Sequence, residues 1–211
     1  EILIGLVGSE MCIRDRYIVR HGETLWNKSK RLQGNRNIDL SEVGRNEARE
    51  RGKQLENVDF DVIYSSPLNR AYETACIIKG ERNIPIIKDD RLREINFGIN
   101  EGMQADQLKK DKSNSFCKFF DDPGHYIPPE NGESFEEVCH RTKEFMKQVI
   151  EPQRNKLNRV LIAGHGAMNK GIMCYVLNHG IDEYWLGGLQ KNCGVIMLNL
   201  DDNGYKQIGE I

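Results

Sequence analysis

Two histidines and two arginines stand where the chain leaves segments that the hydrophobic pattern predicts as buried strands. Arg20 and His21 end the first of these segments, and His165 directly follows a later one. Arg70 lies a few residues beyond another, after two serines and a proline. In open sheets of largely parallel strands, ligands bind beyond the carboxyl ends of the strands. We therefore expect these four side chains to meet in one site.

These residue types suit phosphoryl chemistry. Two arginines can bind a phosphoryl group bidentately, because the N–H donors of each planar guanidinium have a fixed geometry that matches the phosphoryl oxygens. A neutral imidazole held by a backbone carbonyl presents its other nitrogen as a nucleophile, while a second, protonated imidazole can neutralise phosphoryl oxygens. A carboxylic acid must then protonate the leaving oxygen. Glu94 is our candidate for that acid, although it could instead cap a helix or form a surface ion pair. Nothing in this scheme requires a metal.

Strands and helices alternate along the chain. Apolar runs predict strands at residues 16–20, 62–64, 84–88, 160–163 and 195–200, with an edge strand after the turn at 201–204. Helical spacing and capping residues predict helices at residues 41–56, from Pro67 through Ile78, from Glu133 or Ser134 to Ile150, and up to Asn178. This alternation favours an α/β fold, a three-layer α/β/α sandwich around a mostly parallel central sheet. The aromatic-rich residues 98–132 form a small insertion that we interpret as a lid.

Composition excludes several classes of protein. The chain has 211 residues and a formal net charge of -2, so no overall positive field attracts nucleic acid or a membrane surface. Its 6 cysteines include no C-x-x-C pair, which argues against a zinc site and against a disulfide framework. No apolar run reaches the roughly 20 residues that span a bilayer. We expect a cytoplasmic protein with reduced thiols.

The first residues differ in character from the rest. Residues 6–16, read as Leu-Val-Gly-Ser-Glu-Met-Cys-Ile-Arg-Asp-Arg, resemble a translated sequencing adaptor. We therefore interpret residues 1–16 as a non-native N-terminal segment and residues 17–211 as one domain.

The motifs together resemble those of the histidine phosphatase superfamily, the phosphoglycerate mutase-like group. The segments that carry the resemblance are Arg20-His21-Gly22-Glu23-Thr24, Trp26-Asn27, Arg31-Leu32-Gln33-Gly34, Asp39-Leu40-Ser41-Glu42-Val43-Gly44, Ser65-Ser66-Pro67-Leu68-Asn69-Arg70-Ala71, Leu92-Arg93-Glu94-Ile95-Asn96-Phe97-Gly98, Asn131-Gly132-Glu133-Ser134 and Gly164-His165-Gly166. They follow the family's order from residue 17 to the end, so the resemblance implies a phosphoglycerate mutase-like fold over the whole domain.

The resemblance also implies roles. His21 is the nucleophile that becomes phosphohistidine, and Glu94 is the proton donor. The rest of the phosphate pocket consists of Arg20, Arg70 and His165, and the substrate contacts further include Asn27, Gln33, Gly34 and Gly166. The substrate is a small phosphorylated metabolite, with no cofactor, metal, nucleic acid or membrane, and the enzyme is a monomer or a homodimer.

Within this family the same pocket serves phosphatases and mutases. A mutase that handles a bisphosphate needs additional cations and a site closed to water. Residues 116–124 contain no arginine pair, and this chain has Ala167 and Phe97 where the mutases have asparagine and tyrosine. We therefore predict a phosphatase. A cofactor-dependent phosphoglycerate mutase is the alternative, and a non-catalytic phospho-ligand binding module is a minor one.

Overall fold

The computed structural model describes residues 14–211. It contains six strands, β1 (Asp15–Arg20), β2 (Val62–Ser65), β3 (Ile86–Lys88), β4 (Arg159–Gly164), β5 (Val195–Asp201) and β6 (Gly204–Glu210). The helices are α1 (Leu25–Lys28), α2 (Glu42–Gln54), α3 (Asn69–Lys79), α4 (Ala105–Lys110), α5 (Phe135–Phe145) and α6 (Gly166–Leu177). Short 3-10 turns connect them, and a π-helical stretch at Met146–Ile150 extends α5.

The strands form one sheet in the order β3-β2-β4-β1-β5-β6. The pairs β2–β3, β2–β4 and β1–β4 are parallel, whereas β5 is antiparallel to both β1 and β6. Parallel strands are normally covered on both faces. The predicted mostly parallel sheet is therefore confirmed, with an antiparallel edge.

Alternate residues of each strand face opposite layers of helices. On one side, Tyr17 and Val19 pack with Leu55 at the end of α2 and with Ile78 of α3. On the other side, Ile18 packs with residues of α5 and α6, among them Phe145 and Ile172. Since successive side chains of a strand point to opposite faces, this division follows from the strand geometry. The result is the predicted three-layer α/β/α sandwich.

Several element boundaries differ from the prediction. The third helix does not begin at Pro67; its N-cap is Leu68 and its first residue is Asn69. Strand β3 begins at Ile86 rather than Ile84, because Pro85 between them has no N–H to donate to a sheet. Helix α5 starts as predicted after Ser134, which forms a capping box with Glu137.

The first strand includes two residues of the segment that we set aside as non-native. Asp15 pairs with Arg159 on β4, and Arg16 is completely buried. The Arg16 guanidinium donates to the backbone oxygens of Asp15, Asn158 and Leu157 at 3.0, 3.1 and 3.3 Å. Residues 1–13 of that segment lie outside the described residues.

The insertion has a packed interior of its own. Phe116 and Phe119 stack with ring centroids 4.9 Å apart, and both are almost completely buried. Phe135 from α5 and Phe97 complete this aromatic cluster from outside the insertion. Burying large rings supplies much of the stability of such a small unit. The cluster fixes one wall of a cleft that opens at the carboxyl edge of the sheet.

Candidate active site

The parallel strands bring the predicted residues together. Arg20 at the end of β1 is in register with Gly164 at the end of β4, and the His21 N–H donates to the Gly164 carbonyl at 3.0 Å. The imidazoles of His21 and His165 consequently lie side by side, with ring centroids 5.2 Å apart and planes inclined at 59°. Both rings are buried; His21 lines the cleft, whereas His165 lies behind it and is not among the lining residues.

The ring of His21 is held in a single orientation. Its Nδ1 donates to its neighbour's carbonyl, Gly22 O, at 2.7 Å, which leaves Nε2 as the nitrogen with a free lone pair. Burial lowers the pKa of His21 well below its ordinary value, and the positive charges of Arg70 and Arg20 lower it further. The lowered pKa favours the neutral imidazole at physiological pH, the form that a nucleophile requires.

His165 is held by a serine on the neighbouring strand end. Its Nε2 lies 2.8 Å from Ser66 Oγ, while its Nδ1 is buried without a partner among residues 14–211. Burial, followed by the charge of Arg70, lowers the pKa of His165 well below its ordinary value. The sequence predicts a protonated His165. A second positive charge beside the arginines is unfavourable until an anion binds, so this prediction concerns the phosphate-bound site.

The two arginines are anchored by backbone carbonyls. Arg70 is fully buried and donates through Nη1 to Arg36 O and through Nη2 to Gly34 O, both at 2.8 Å. Arg20 donates through Nη1 to Gln190 O at 2.5 Å. In both arginines the Nε atom is buried and has no partner within the described chain. Each guanidinium is thus fixed in place while retaining N–H groups for a ligand.

Three buried nitrogens of the predicted phosphate ligands have no partner among residues 14–211, namely the Nε–H donors of Arg20 and Arg70 and the Nδ1 of His165. Leaving such donors unpaired is costly. An added Cβ on Gly166 would lie 3.7 Å from Arg20 Nε and 2.7 Å from a methyl carbon of Leu189. Glycine at this position keeps the space between the donors open, and a tetrahedral oxyanion suits them better than a cation does.

Glu94 lies beside this space. Its Oε1 accepts the backbone N–H groups of Met168 and Ile95 at 2.9 and 3.0 Å, and its Oε2 accepts that of Ala167 at 3.3 Å. The carboxylate thus caps the first turn of α6 and also lines the cleft. The two interpretations that the sequence left open, a cap and an active-site acid, are compatible in this geometry.

The predicted rim residues Asn27, Gln33 and Gly34 also line the cleft, which has a volume of about 190 Å³. Two of them are held by Thr24: Asn27 Oδ1 accepts from the backbone N–H and the hydroxyl of Thr24, both at 3.0 Å, and the same hydroxyl lies 3.0 Å from Gln33 Oε1. The Asn27 amide nitrogen remains available to a substrate.

The sequence did not reveal several lining residues. Trp185 and Leu189 come from the segment after α6, and Phe119 and Phe120 come from the insertion. The aromatic residues of the insertion were visible as a composition bias, but Trp185 and Leu189 lie in a segment without periodicity. Their place in the cleft depends on how that segment folds back over α6.

Known proteins resemble this chain over most of its length. A family model described as histidine phosphatase superfamily (branch 1) matches residues 16–208. The chain belongs to the histidine phosphatase superfamily. Phosphoserine phosphatase 1 of Hydrogenobacter thermophilus is 33% identical over 171 residues, which are 81% of this chain and 80% of that protein. A 2,3-bisphosphoglycerate-dependent phosphoglycerate mutase of a Methylobacterium species is 30% identical over 187 residues, covering 84% and 86% of the two chains.

A solved structure superposes well on this chain. The structure of YhfR from Bacillus stearothermophilus has a TM-score of 0.84 at 35% identity and covers 92% of this chain and 94% of its own. The resemblance noted in the motifs and the predicted phosphatase class are therefore confirmed. Among residues 14–211, every helix is too short or too polar to cross a membrane.

Proposed function

We propose that this histidine phosphatase hydrolyses a small phosphate monoester through a phosphohistidine formed on His21. The observation that carries the proposal is the pair of unpartnered, buried Nε–H donors of Arg20 and Arg70, with the unpartnered Nδ1 of His165, near the free Nε2 of His21. A phosphoryl group bound by Arg20, Arg70 and His165 would have its phosphorus within reach of that nitrogen. The arrangement supplies positioning and charge stabilisation, which are the main requirements of phosphoryl transfer.

The reaction would proceed in two displacements. His21 Nε2 attacks phosphorus, the ester P–O bond breaks, and Glu94 gives its proton to the departing oxygen. A water molecule then attacks the phosphohistidine, the P–N bond breaks, and the water's proton passes to Glu94. Inorganic phosphate leaves, and both side chains return to their starting protonation states.

The cleft favours a substrate with an apolar body. Beyond the phosphate donors, its wall consists largely of Leu32, Phe97, Phe119, Phe120, Trp185 and Leu189. The cations Lys30 and Arg31 lie at its mouth and are exposed; the Lys30 ammonium pairs with Asp106 at 2.8 Å. A second phosphate would find little charge to bind it deep in the cleft. Hydrolysis is for this reason favoured over the mutase reaction.

Two further properties belong to the proposal. We place the enzyme in the cytoplasm, because the five cysteines within the described residues are free thiols, as expected in a reducing compartment. We also treat residues 17–211 as one catalytic domain, in which the insertion covers the substrate and acts as a lid, and the enzyme as a monomer or homodimer.

The test of the covalent intermediate uses a rapid acid-free quench with a radiolabelled aryl phosphate. Wild-type protein should carry acid-labile, base-stable phosphate, and the His21→Ala variant should carry none and hydrolyse no substrate while unfolding at a similar temperature. His125→Ala, which removes an exposed histidine outside the cleft, is the matched control and should behave as wild type. Normal turnover by His21→Ala would refute the mechanism.

The substrate is sought in a panel of metabolites. Phosphoserine belongs in it, because a relative carries the name phosphoserine phosphatase. Phosphate esters with larger apolar bodies should give the higher kcat/KM values. A sample with 3-phosphoglycerate and 2,3-bisphosphoglycerate tests the mutase alternative, since isomerisation faster than hydrolysis would overturn the choice of a phosphatase.

A further inference from the structure

Glu101 is a buried carboxylate for which the motif analysis found no role. It lies at the start of the insertion, and its side chain is 7% exposed. Its Oε1 accepts the backbone N–H of Asn35 at 2.7 Å, and its Oε2 lies 3.4 Å from Arg36 Nε. Glu101 does not line the substrate cleft. A buried carboxylate is costly unless its interactions compensate, so this placement requires an explanation.

The loop that Glu101 holds is the loop that anchors Arg70. The guanidinium of Arg70 donates to the carbonyls of Gly34 and Arg36, on either side of the Asn35 N–H that Glu101 accepts. The residues from Gly34 to Arg36 therefore lie between a guanidinium on one side and a carboxylate on the other.

The contact between Glu101 and the loop is close. Gly34 has a φ of +50°, and a Cβ added to it would lie 1.9 Å from Glu101 Oε1. The loop can thus approach the carboxylate only because its first residue is a glycine in the left-handed region. The carboxylate also acts on Arg70 at a distance: burial lowers the pKa of Arg70 to about 10, and the charges of Glu94 and Glu101 oppose that shift.

We propose that Glu101 is a positioning residue for phosphoryl binding, which fixes the Gly34–Arg36 loop so that this loop aims the guanidinium of Arg70. The inference rests on the proposed function, since it takes Arg70 as a ligand of the phosphoryl group. A small displacement of such a group weakens both binding and catalysis, even when the residue that moved it never touches the substrate.

A double-mutant cycle tests the link between Glu101 and Arg70. The variants are Glu101→Gln, which keeps the size of the side chain but removes its charge, Arg70→Lys, and the two combined. Glu101→Gln should lower kcat/KM by about 10-fold and raise the inhibition constant of inorganic phosphate in parallel. The loss should be the same for aryl and alkyl phosphates, because phosphoryl binding does not depend on the leaving group.

In the Arg70→Lys background, Glu101→Gln should change kcat/KM by less than about 2-fold, because the interaction through which it acts has already been lost. Asp61→Asn is the matched control: Asp61 also accepts two backbone N–H groups, from Asn158 and Arg159, but at the opposite end of the sheet. It should leave the inhibition constant unchanged.

The outcomes separate the two proposals. If Arg70→Lys leaves phosphate inhibition unchanged, Arg70 does not bind the phosphoryl group and the proposed function fails. If Arg70→Lys weakens inhibition but Glu101→Gln retains its full effect in that background, only the positioning role of Glu101 is wrong. An effect of Asp61→Asn as large as that of Glu101→Gln would likewise overturn this role, because it would show general loosening of the fold.

Discussion

Glu94 and Met168 are joined by a hydrogen bond of 2.9 Å from the Met168 backbone N–H to the carboxylate, so the candidate proton donor is anchored to the first turn of α6. The residue that precedes α6 is His165. The same helix start therefore orients the imidazole that we propose as a phosphate ligand and the carboxylate that we propose as the proton donor.

Replacing Glu94 by glutamine should make hydrolysis depend on the leaving group. Alkyl phosphates should lose about 100-fold or more in kcat, because an alkoxide needs protonation, whereas aryl phosphates should lose much less. The measurement compares kcat for p-nitrophenyl phosphate with that for an alkyl phosphate. Glu133→Gln, which alters a carboxylate outside the cleft paired with Arg141, should affect both substrates alike. If Glu94→Gln lowered kcat equally for alkyl and aryl phosphates, Glu94 would not be the proton donor.

Adding a methyl group at Gly166 should block the phosphate site without weakening the fold. The Cβ of Gly166→Ala would lie 3.7 Å from both Arg20 Nε and Glu94 Oε2 and would meet only the flexible end of Leu189. We expect kcat/KM to fall by at least about 10-fold, while alanine in the first turn of α6 leaves the melting temperature unchanged or raises it. Gly180→Ala, whose Cβ has no atom within 4 Å, is the control. Full activity of Gly166→Ala would show that the phosphoryl group binds elsewhere.

Leu189 should contribute to recognition of an apolar substrate body. It lines the cleft, whereas Leu186 in the same segment does not. Both side chains are largely exposed, so truncating either should cost little stability. Leu189→Ala should lower kcat/KM for 1-naphthyl phosphate by about 5-fold, which corresponds to about 1 kcal/mol of lost apolar contact. The value of kcat/KM for a small alkyl phosphate should not change. Leu186→Ala should leave both rates unchanged, and a matching loss from it would contradict the assignment.

The free energy of unfolding should fall as the pH drops below about 6.5. The pKa values of His21 and His165 are lowered in the folded protein, so between the unfolded and folded values the unfolded chain binds more protons. The contribution of these histidines to the free energy of unfolding is therefore fully present above pH 6.5. It is lost as the pH falls from 6.5 toward the lowered pKa of the folded protein, by up to about 1.4 kcal/mol per pH unit for each ring. Urea unfolding at several pH values between 7 and 5 measures this loss in the free energy of unfolding.

The comparison for this prediction is His165→Asn, which should show a shallower dependence on pH over the same range. A slope equal to that of the wild type would mean that His165 is not held neutral in the folded protein. The range is chosen above the pH at which carboxylates such as Asp89, whose pKa is lowered by Arg91, begin to take up protons.

The sequence by itself predicted which residues would come together, because they follow apolar runs and strand ends of parallel sheets meet at one edge. That reasoning placed His21 and His165 together across a separation of more than half the chain. It also predicted the α5 helix from its capping serine and apolar stripe. These features depend on local patterns, which sequence periodicity records directly.

Only the tertiary structure decided how these groups are held. Three contacts join residues that are far apart in the chain. Helix α6 anchors Glu94, Gln190 O anchors Arg20, and a loop that Glu101 supports anchors Arg70. Each of these contacts involves backbone groups, which every residue carries. The residue types in the sequence therefore do not predict the contacts. The lowered pKa of His165 likewise follows from burial and from the charge of Arg70, a property of packing that no local motif contains.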